Sequence, residues 1–528
     1  MCSLSAELRS REGWWSDRLD EVVREGWITL HAGRTRTVET PCGFTDVTLS
    51  IEQVTYVIDE LEGYSKLRDE DHECQVSCFE RIWESTALFT TEFLSSLDTE
   101  LQVVRDADTA TSDGTVFDIV DPYTYPVRYN NTLVRAPDGQ LHFAVPPVEP
   151  PVDGYTVSTH FASLPTSFSI SHADGVLTAH SLAYINGIDP SLSALYSYIE
   201  HALAKTIPLF EHVLTDLHRD NPLPQRIRGS CKYTVWDEPE EPEHSDDEDG
   251  WAKYGREMRT WALQRPIAIP DIPDTGYPGG LEKRRTVVSL RGSTIKVIVK
   301  VTDIRLTPEK PQFLAEPWQV AGMRNEHVVA CAFHCIACDN IAPPALAFRM
   351  PICSPFKFTS GDEGATARTW GLRHGSPGIQ SLGQVPLTLG RSVVLPNIYQ
   401  HALQPTTLID QEKEGSMTIL SFLLVDPDLS NIDGTGTHGA DEFEILTTST
   451  VPPQQKAWIR RAVEESLDVR IPNEIVERIM DHVEGLLTEK EALKVTKEMK
   501  VQRKWFRISH ARFWFNLPFD VWTGEQRV

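Results

Sequence analysis

The 528-residue chain has no long apolar run. The longest, "VVACAFHCIAC" from Val328 to Cys338, is about half of the ~20 residues a membrane-spanning helix needs. The opening "MCSLSAELRSREGWW" has no apolar stretch of the kind a secretory leader carries, so Asn130 in "NNT" is a glycosylation sequon by spelling only. Basic charge is scarce: 50 Lys and Arg stand against 76 Asp and Glu, a net charge of -26. The summed field therefore opposes whole-molecule attraction to nucleic acid or an anionic membrane, and neither is an expected partner. Nine cysteines, an odd and scattered set, make no disulfide framework and fit reduced thiols. The chain reads as intracellular, cytoplasmic and soluble. H-E-x-x-H, G-x-S-x-G and G-x-x-x-x-G-K-[ST] are also missing.

What is present divides by pattern. The length exceeds one ordinary core, so two or three packed subregions are expected. Val54, Val57, Ile58, Leu61 and Tyr64 recur at helix spacing, and so do Phe79, Ile82, Trp83 and Leu88 in "VSCFERIWESTALFTTEFLSSLDTEL". "ALYSYIEHALAKTIPLFEHVLTDL" predicts an amphipathic helix that Pro208 kinks or interrupts. "DEPEEPEHSDDEDG", residues 237–250, repels itself and buries nothing, which predicts a disordered acidic loop, with docking to a basic protein partner as its alternative use. From about Arg291, β-branched runs separated by Pro, Gly and Asp predict the strands of a sandwich or jelly roll, before the pattern returns to helix. The expected division is a helical region at 1–230, an acidic loop at 231–255, a strand-rich core at 256–430 and a loop with C-terminal helices at 431–528.

Three local motifs invite chemistry, and each has a plainer explanation. "GTGTHG", residues 434–439, spells a dinucleotide fingerprint without the strand before it or the helix after it, so a loop is expected. Cys331, Cys335 and Cys338 enclose His334, but in a strand alternate side chains face opposite ways, so buried free thiols are expected. "KVQRKWFRISHARFWFN", residues 500–516, interleaves basic and aromatic residues as single-strand nucleic-acid binders do. In so acidic a chain it reads as a helix docking Trp505, Phe506, Phe513 and Trp514 on the core.

The segments "VSCFERIWES", "VDPYTYPVRY", "AYINGIDP", "IEHALAKTIPLFEHVL", "VIVKVTDIRLTPEKP", "WQVAGMRNEHVVA", "LPNIYQHAL", "ILSFLLVDP" and "VPPQQKAW" occur in the order shown by a large fungal family, domain of unknown function 4246. The chain resembles that family from about residue 50 to 510. The resemblance implies an α+β fold: a double-stranded β-helix, or jelly roll, of the iron(II)/2-oxoglutarate oxygenase type, with a large helical N-terminal region and C-terminal helices. Such a site uses two histidines and a carboxylate on one face of the metal, and an arginine clamps the co-substrate.

In the family the first ligand pair reads Trp-His-Val-Glu-Gly; here it reads Trp318-Gln319-Val320-Ala321-Gly322. The distal histidine is retained as His401, and the co-substrate arginine falls on Met417. These four positions are expected to line one cavity, with no metal and no cofactor. The resemblance then implies a divergent oxygenase-fold protein that binds and converts a small molecule without oxidation, as an isomerase, cyclase or lyase does, in secondary metabolism. His401 is the acid/base candidate, with Gln319, His327 and Glu326 as polar handles. The alternatives are a non-catalytic protein acting through interactions, and a dioxygenase holding Fe(II) and 2-oxoglutarate through atypical ligands such as His327 and His401.

Overall fold

The computed structural model describes residues 1–107, 114–148, 153–223, 226–227, 229–233, 237–355, 357–430, 445–466 and 472–523. The fold is mixed α and β, with antiparallel sheets. Eight strands of the second half organise it: β1 (Thr294–Leu306), β2 (Gln312–Phe313), β3 (Val328–Asp339), β4 (Ala345–Pro351), β5 (Ile379–Pro386), β6 (Ser392–Pro396), β7 (Gln400–Leu403) and β8 (Gly415–Val425). The large sheet runs β1-β8-β3-β6 through its centre. Strands Thr166–Ala173 and Val176–Ser181 extend one side of it, Trp83–Ser85 and Gln75–Val76 the other, and Val116–Val120 also pairs with β1. A second sheet runs β5-β4-β7, and β2 pairs with Thr406–Thr407 just beyond β7.

β1 and β8 are buried along most of their length because both faces of the large sheet are covered. On one face Val297, Val299, Ala330, Ala332, Leu420 and Phe422 pack with helices α1 (Ile51–Leu67), α2 (Thr91–Ala107) and α3 (Ser193–Leu217). On the other, Ile298, Ile304, Cys331, Met417 and Ile419 meet Leu346, Phe348, Leu382 and Leu403 of the second sheet. Strands from before residue 230 thus share a sheet and a core with the strand-rich half.

Several local expectations change. The segment after Val76 is no helix: Arg81 has φ +68°, and Trp83–Ser85 pairs with β6 at a sheet edge, so helix begins only at Thr91. Sheet pairing overrides the periodicity of Phe79, Ile82 and Trp83. α3 runs through Pro208 without interruption. Helix α4 (Glu248–Gln264) starts inside the acidic segment: Asp247 accepts from Gly250 N, and Glu248 and Asp249 meet the positive helix end. Residues 434–439 lie outside the described residues. All nine cysteines are free. His334 points away from Cys331 and Cys335: its Nε2 is 3.1 Å from Thr206 Oγ1 of α3 and its Nδ1 2.8 Å from Ser392 Oγ. Among the described residues no helix is long and apolar enough to cross a membrane.

Candidate functional site

Gln319 and His401 are direct cross-strand partners. Gln319 N donates to His401 O at 3.1 Å, and His401 N to Gln319 O at 3.0 Å. Opposite them, Lys300, Ser421 and Phe333 form one row across β1, β8 and β3. Their neighbours two along belong to the inter-sheet core, so by strand alternation this row faces His401. The Phe333 and His401 rings lie 5.0 Å apart. His401 is 4% exposed, and its Nδ1 is buried with no hydrogen-bond partner. Burial, helped by Lys300, pushes its pKa down to about 4, so the imidazole is neutral at ordinary pH, with one ring nitrogen carrying a proton and the other able to accept a hydrogen bond.

Around this row sits a charged rim that the sequence did not reveal. Lys300 Nζ lies 2.9 Å from Asp118 Oδ1, and Lys500 Nζ 2.7 Å from Asp121 Oδ2. Burial alone would raise the Asp118 carboxyl, but Lys300 and Lys500 hold it at about 2. Glu316 goes the other way, raised by burial despite Lys300. Lys500 belongs to α5 (Glu489–His510), opened by a Thr488–Glu491 capping box. Lys500, Arg503 and Arg507 share one face of α5 by their i, i+3, i+7 spacing. Arg503 Nη2 reaches Glu326 Oε1 at 2.8 Å, and Arg507 Nη1 reaches Gln319 Oε1 at 2.9 Å. The tail therefore docks, as expected, but mainly through cations: Phe506 is buried, while Trp505 is 64% exposed and Phe513 and Trp514 are also exposed.

The remaining expected site residues scatter. Ala321 borders the inter-sheet core, its backbone held by Asn397, and its methyl offers no ligand atom. Met417 is fully buried in that core, four residues along β8 from Ser421. Glu326 is already engaged: besides Arg503 it accepts from Ser163 N and Met323 N, each at 2.6 Å. His327, at φ +48°, follows a short 3-10 turn, and its carbonyl accepts from Asp426 N. The structure thus joins Gln319 to His401 but commits Glu326 to holding a turn and α5. The residues present do not fit an iron centre: Gln319 offers an amide, Ala321 a methyl and His401 a single imidazole, with no carboxylate among them. Among the described residues His401 belongs to no converging group of three His, Cys, Asp or Glu ligands.

A family model described as "Protein of unknown function (DUF4246)" matches residues 52–462. The chain belongs to this family. The matched stretch of this DUF4246 protein includes Lys300, Gln319, His401 and Met417 and ends before α5. No curated protein matches it. Solved structures similar to it include IDO from Bacillus thuringiensis, at 13% identity and TM-score 0.14; the match covers 25% of this chain and 45% of that one, less than half its length. Another is the Fe(II)/(alpha)ketoglutarate-dependent dioxygenase TqaL, at 10% identity, 67% and 97% coverage and TM-score 0.23. A third is the non-heme alpha ketoglutarate dependent epimerase SnoN from nogalamycin biosynthesis, at 12% identity, 38% and 86% coverage and TM-score 0.13.

Proposed function

We propose that this DUF4246 protein has an oxygenase-type jelly roll that works without iron and 2-oxoglutarate, and that it binds and converts a small molecule between its two sheets by non-oxidative chemistry. The jelly-roll reading is supported by the interleaved strand order, β1-β8-β3-β6 facing β5-β4-β7, with β2 beyond β7. The observation that carries the functional reading is His401 Nδ1, buried and unpaired opposite Lys300 and Ser421. Leaving such an atom unsatisfied costs about 1–3 kcal/mol, which a ligand able to donate a hydrogen bond there would recover. A neutral imidazole suits the binding and orientation of a substrate hydroxyl.

A second reading, a non-catalytic protein acting through interactions, is favoured by one specific contact: Arg507 already occupies the Gln319 amide.

Calorimetric titration with Fe(II) and 2-oxoglutarate tests the shared premise. The expected result is no mutually dependent binding; tight, mutually dependent binding would restore the dioxygenase reading. Mass spectrometry of small molecules released from the purified protein then divides the other two. A compound carried by the parent and lost in His401→Leu supports the pocket, whereas no compound in either supports the interaction role.

A further inference from the structure

On the other side of the large sheet, a tight hairpin follows α1. Asp69 and Cys74 pair backbone to backbone, with Asp69 N to Cys74 O at 2.9 Å and Cys74 N to Asp69 O at 3.0 Å. Glu73, at φ +51°, closes the turn, and His72 N donates to Asp69 Oδ1. The hairpin therefore brings Asp69, His72 and Cys74 to one corner. α3 adds His212 from 143 residues beyond Asp69. His72 Nδ1 and His212 Nε2 both lie 2.9 Å from the same oxygen, Asp69 Oδ2. Ligand atoms of Asp69, Cys74 and His212 all lie within 4.8 Å of one another.

Two further observations separate this corner from an ordinary hydrogen-bond network. Cys74 is 1% exposed, and its sulfur lies within 4.8 Å of a carboxylate oxygen of Asp69 and a ring nitrogen of His212. The His212 ring is also fixed: it stacks on Trp83 at 4.0 Å and 8°, and Trp83 Nε1 is itself held by Asp216 Oδ2 at 3.0 Å. This stacking fixes the direction in which His212 presents Nε2 to Asp69 and Cys74.

We propose that Asp69, Cys74 and His212 form a zinc site that staples the hairpin after α1 to α3 and the Trp83 strand, with His72 holding the Asp69 carboxylate in place. One thiolate, one imidazole and one carboxylate, completed by a water, are a tetrahedral donor set for a borderline-soft divalent ion, and this class prefers zinc to magnesium or calcium. On binding, the Cys74 thiol releases its proton to solvent. His212 binds through Nε2, the nitrogen now facing Asp69, and carries its proton on Nδ1.

The test uses the full chain. Metal analysis after purification, and titration of stripped protein with Zn²⁺ alone against a competing chelator, should show stoichiometric zinc. Cys74→Ser and Asp69→Asn should each weaken it at least tenfold, since even supporting residues around a metal change affinity by about 10–100-fold. Co²⁺ in place of zinc should give intense visible bands and a near-ultraviolet thiolate band. Cys74→Ser should lose the thiolate band, while Cys353→Ser, at an exposed cysteine, should keep it. The Co²⁺ spectrum is read on the parent protein, so it decides the matter even if a variant fails to fold. No retained zinc, a Co²⁺ spectrum without a thiolate band, or undiminished binding in folded Cys74→Ser overturns the proposal.

Discussion

The His401 face and the Asp69 corner lie on opposite sides of the large sheet and differ in what surrounds their histidines. At His401 strand pairing sets an amide-bearing residue beside a buried imidazole, with only the Ala321 methyl two positions along from Gln319. At Asp69 the donors converge on a two-stranded turn, one helix and a supporting tryptophan. Backbone pairing is set by hydrogen bonds and core packing, which Gln319 and Ala321 satisfy as well as His and Glu would. Ligand convergence has no such indifference, because it needs particular side-chain atoms in place.

The largest expected effect comes from separating α5 from the His401 face. Arg503 and Glu326 are an almost wholly buried pair, their side chains 5% and 1% exposed, and removing one partner of such a pair costs about 3–5 kcal/mol. Arg503→Met should lower stability in urea unfolding by that amount while leaving metal content unchanged. A loss below about 1 kcal/mol would mean that α5 does not lock this face. A change in zinc content would mean that the two regions are coupled.

Next in size is returning the missing donors. Gln319→His with Ala321→Glu, both variant and parent carrying Cys74→Ser so that the Asp69 corner does not compete, should tighten Fe(II) binding by about 100-fold or more, judged by the 10–100-fold effect of supporting residues alone. If the double variant binds no better than the parent, the Gln319–His401 pairing is not an oxygenase ligand frame, and the contrast with the Asp69 corner loses its first half.

Acid should then distinguish buried histidine from exposed. His401 and His334 have pKa values lowered by burial to about 4 and about 3. Between pH 6.5 and 4 the unfolded chain takes up protons that the folded one refuses, so stability falls as pH falls through that window. By pH 5 each imidazole should remove ~2 kcal/mol relative to pH 8. His401→Leu should remove one share of that slope; an unchanged slope would show that its imidazole titrates normally.

Much of this was legible in residue order. "WQVAG" and "QHAL" set the Gln319–His401 pair, and the β-branched runs set the strands. Less legible were features that depend on distant partners. Trp83 was misread because helix periodicity at Phe79, Ile82 and Trp83 cannot reveal that β6 offers a ladder. The Asp-x-x-His-x-Cys run at 69–74 is short and acidic, and only the fold brings His212 to it. The basic stripe of α5 was visible as Lys500, Arg503 and Arg507, but its acceptors Asp121, Glu326 and Gln319 lie about 180 residues or more upstream.

The smallest effect has the most informative sign. His401→Leu replaces a buried, unpaired imidazole nitrogen with hydrocarbon of similar bulk beside Phe333. An apolar replacement at an unsatisfied buried site removes its desolvation cost, so the variant should be more stable than the ligand-free parent by about 1 kcal/mol at pH 8. Residues kept for packing lose stability when replaced, and residues kept for binding tend to gain it. A loss of 2 kcal/mol or more, measured by urea unfolding, would place His401 among the packing residues and remove the reason for expecting a ligand between the sheets.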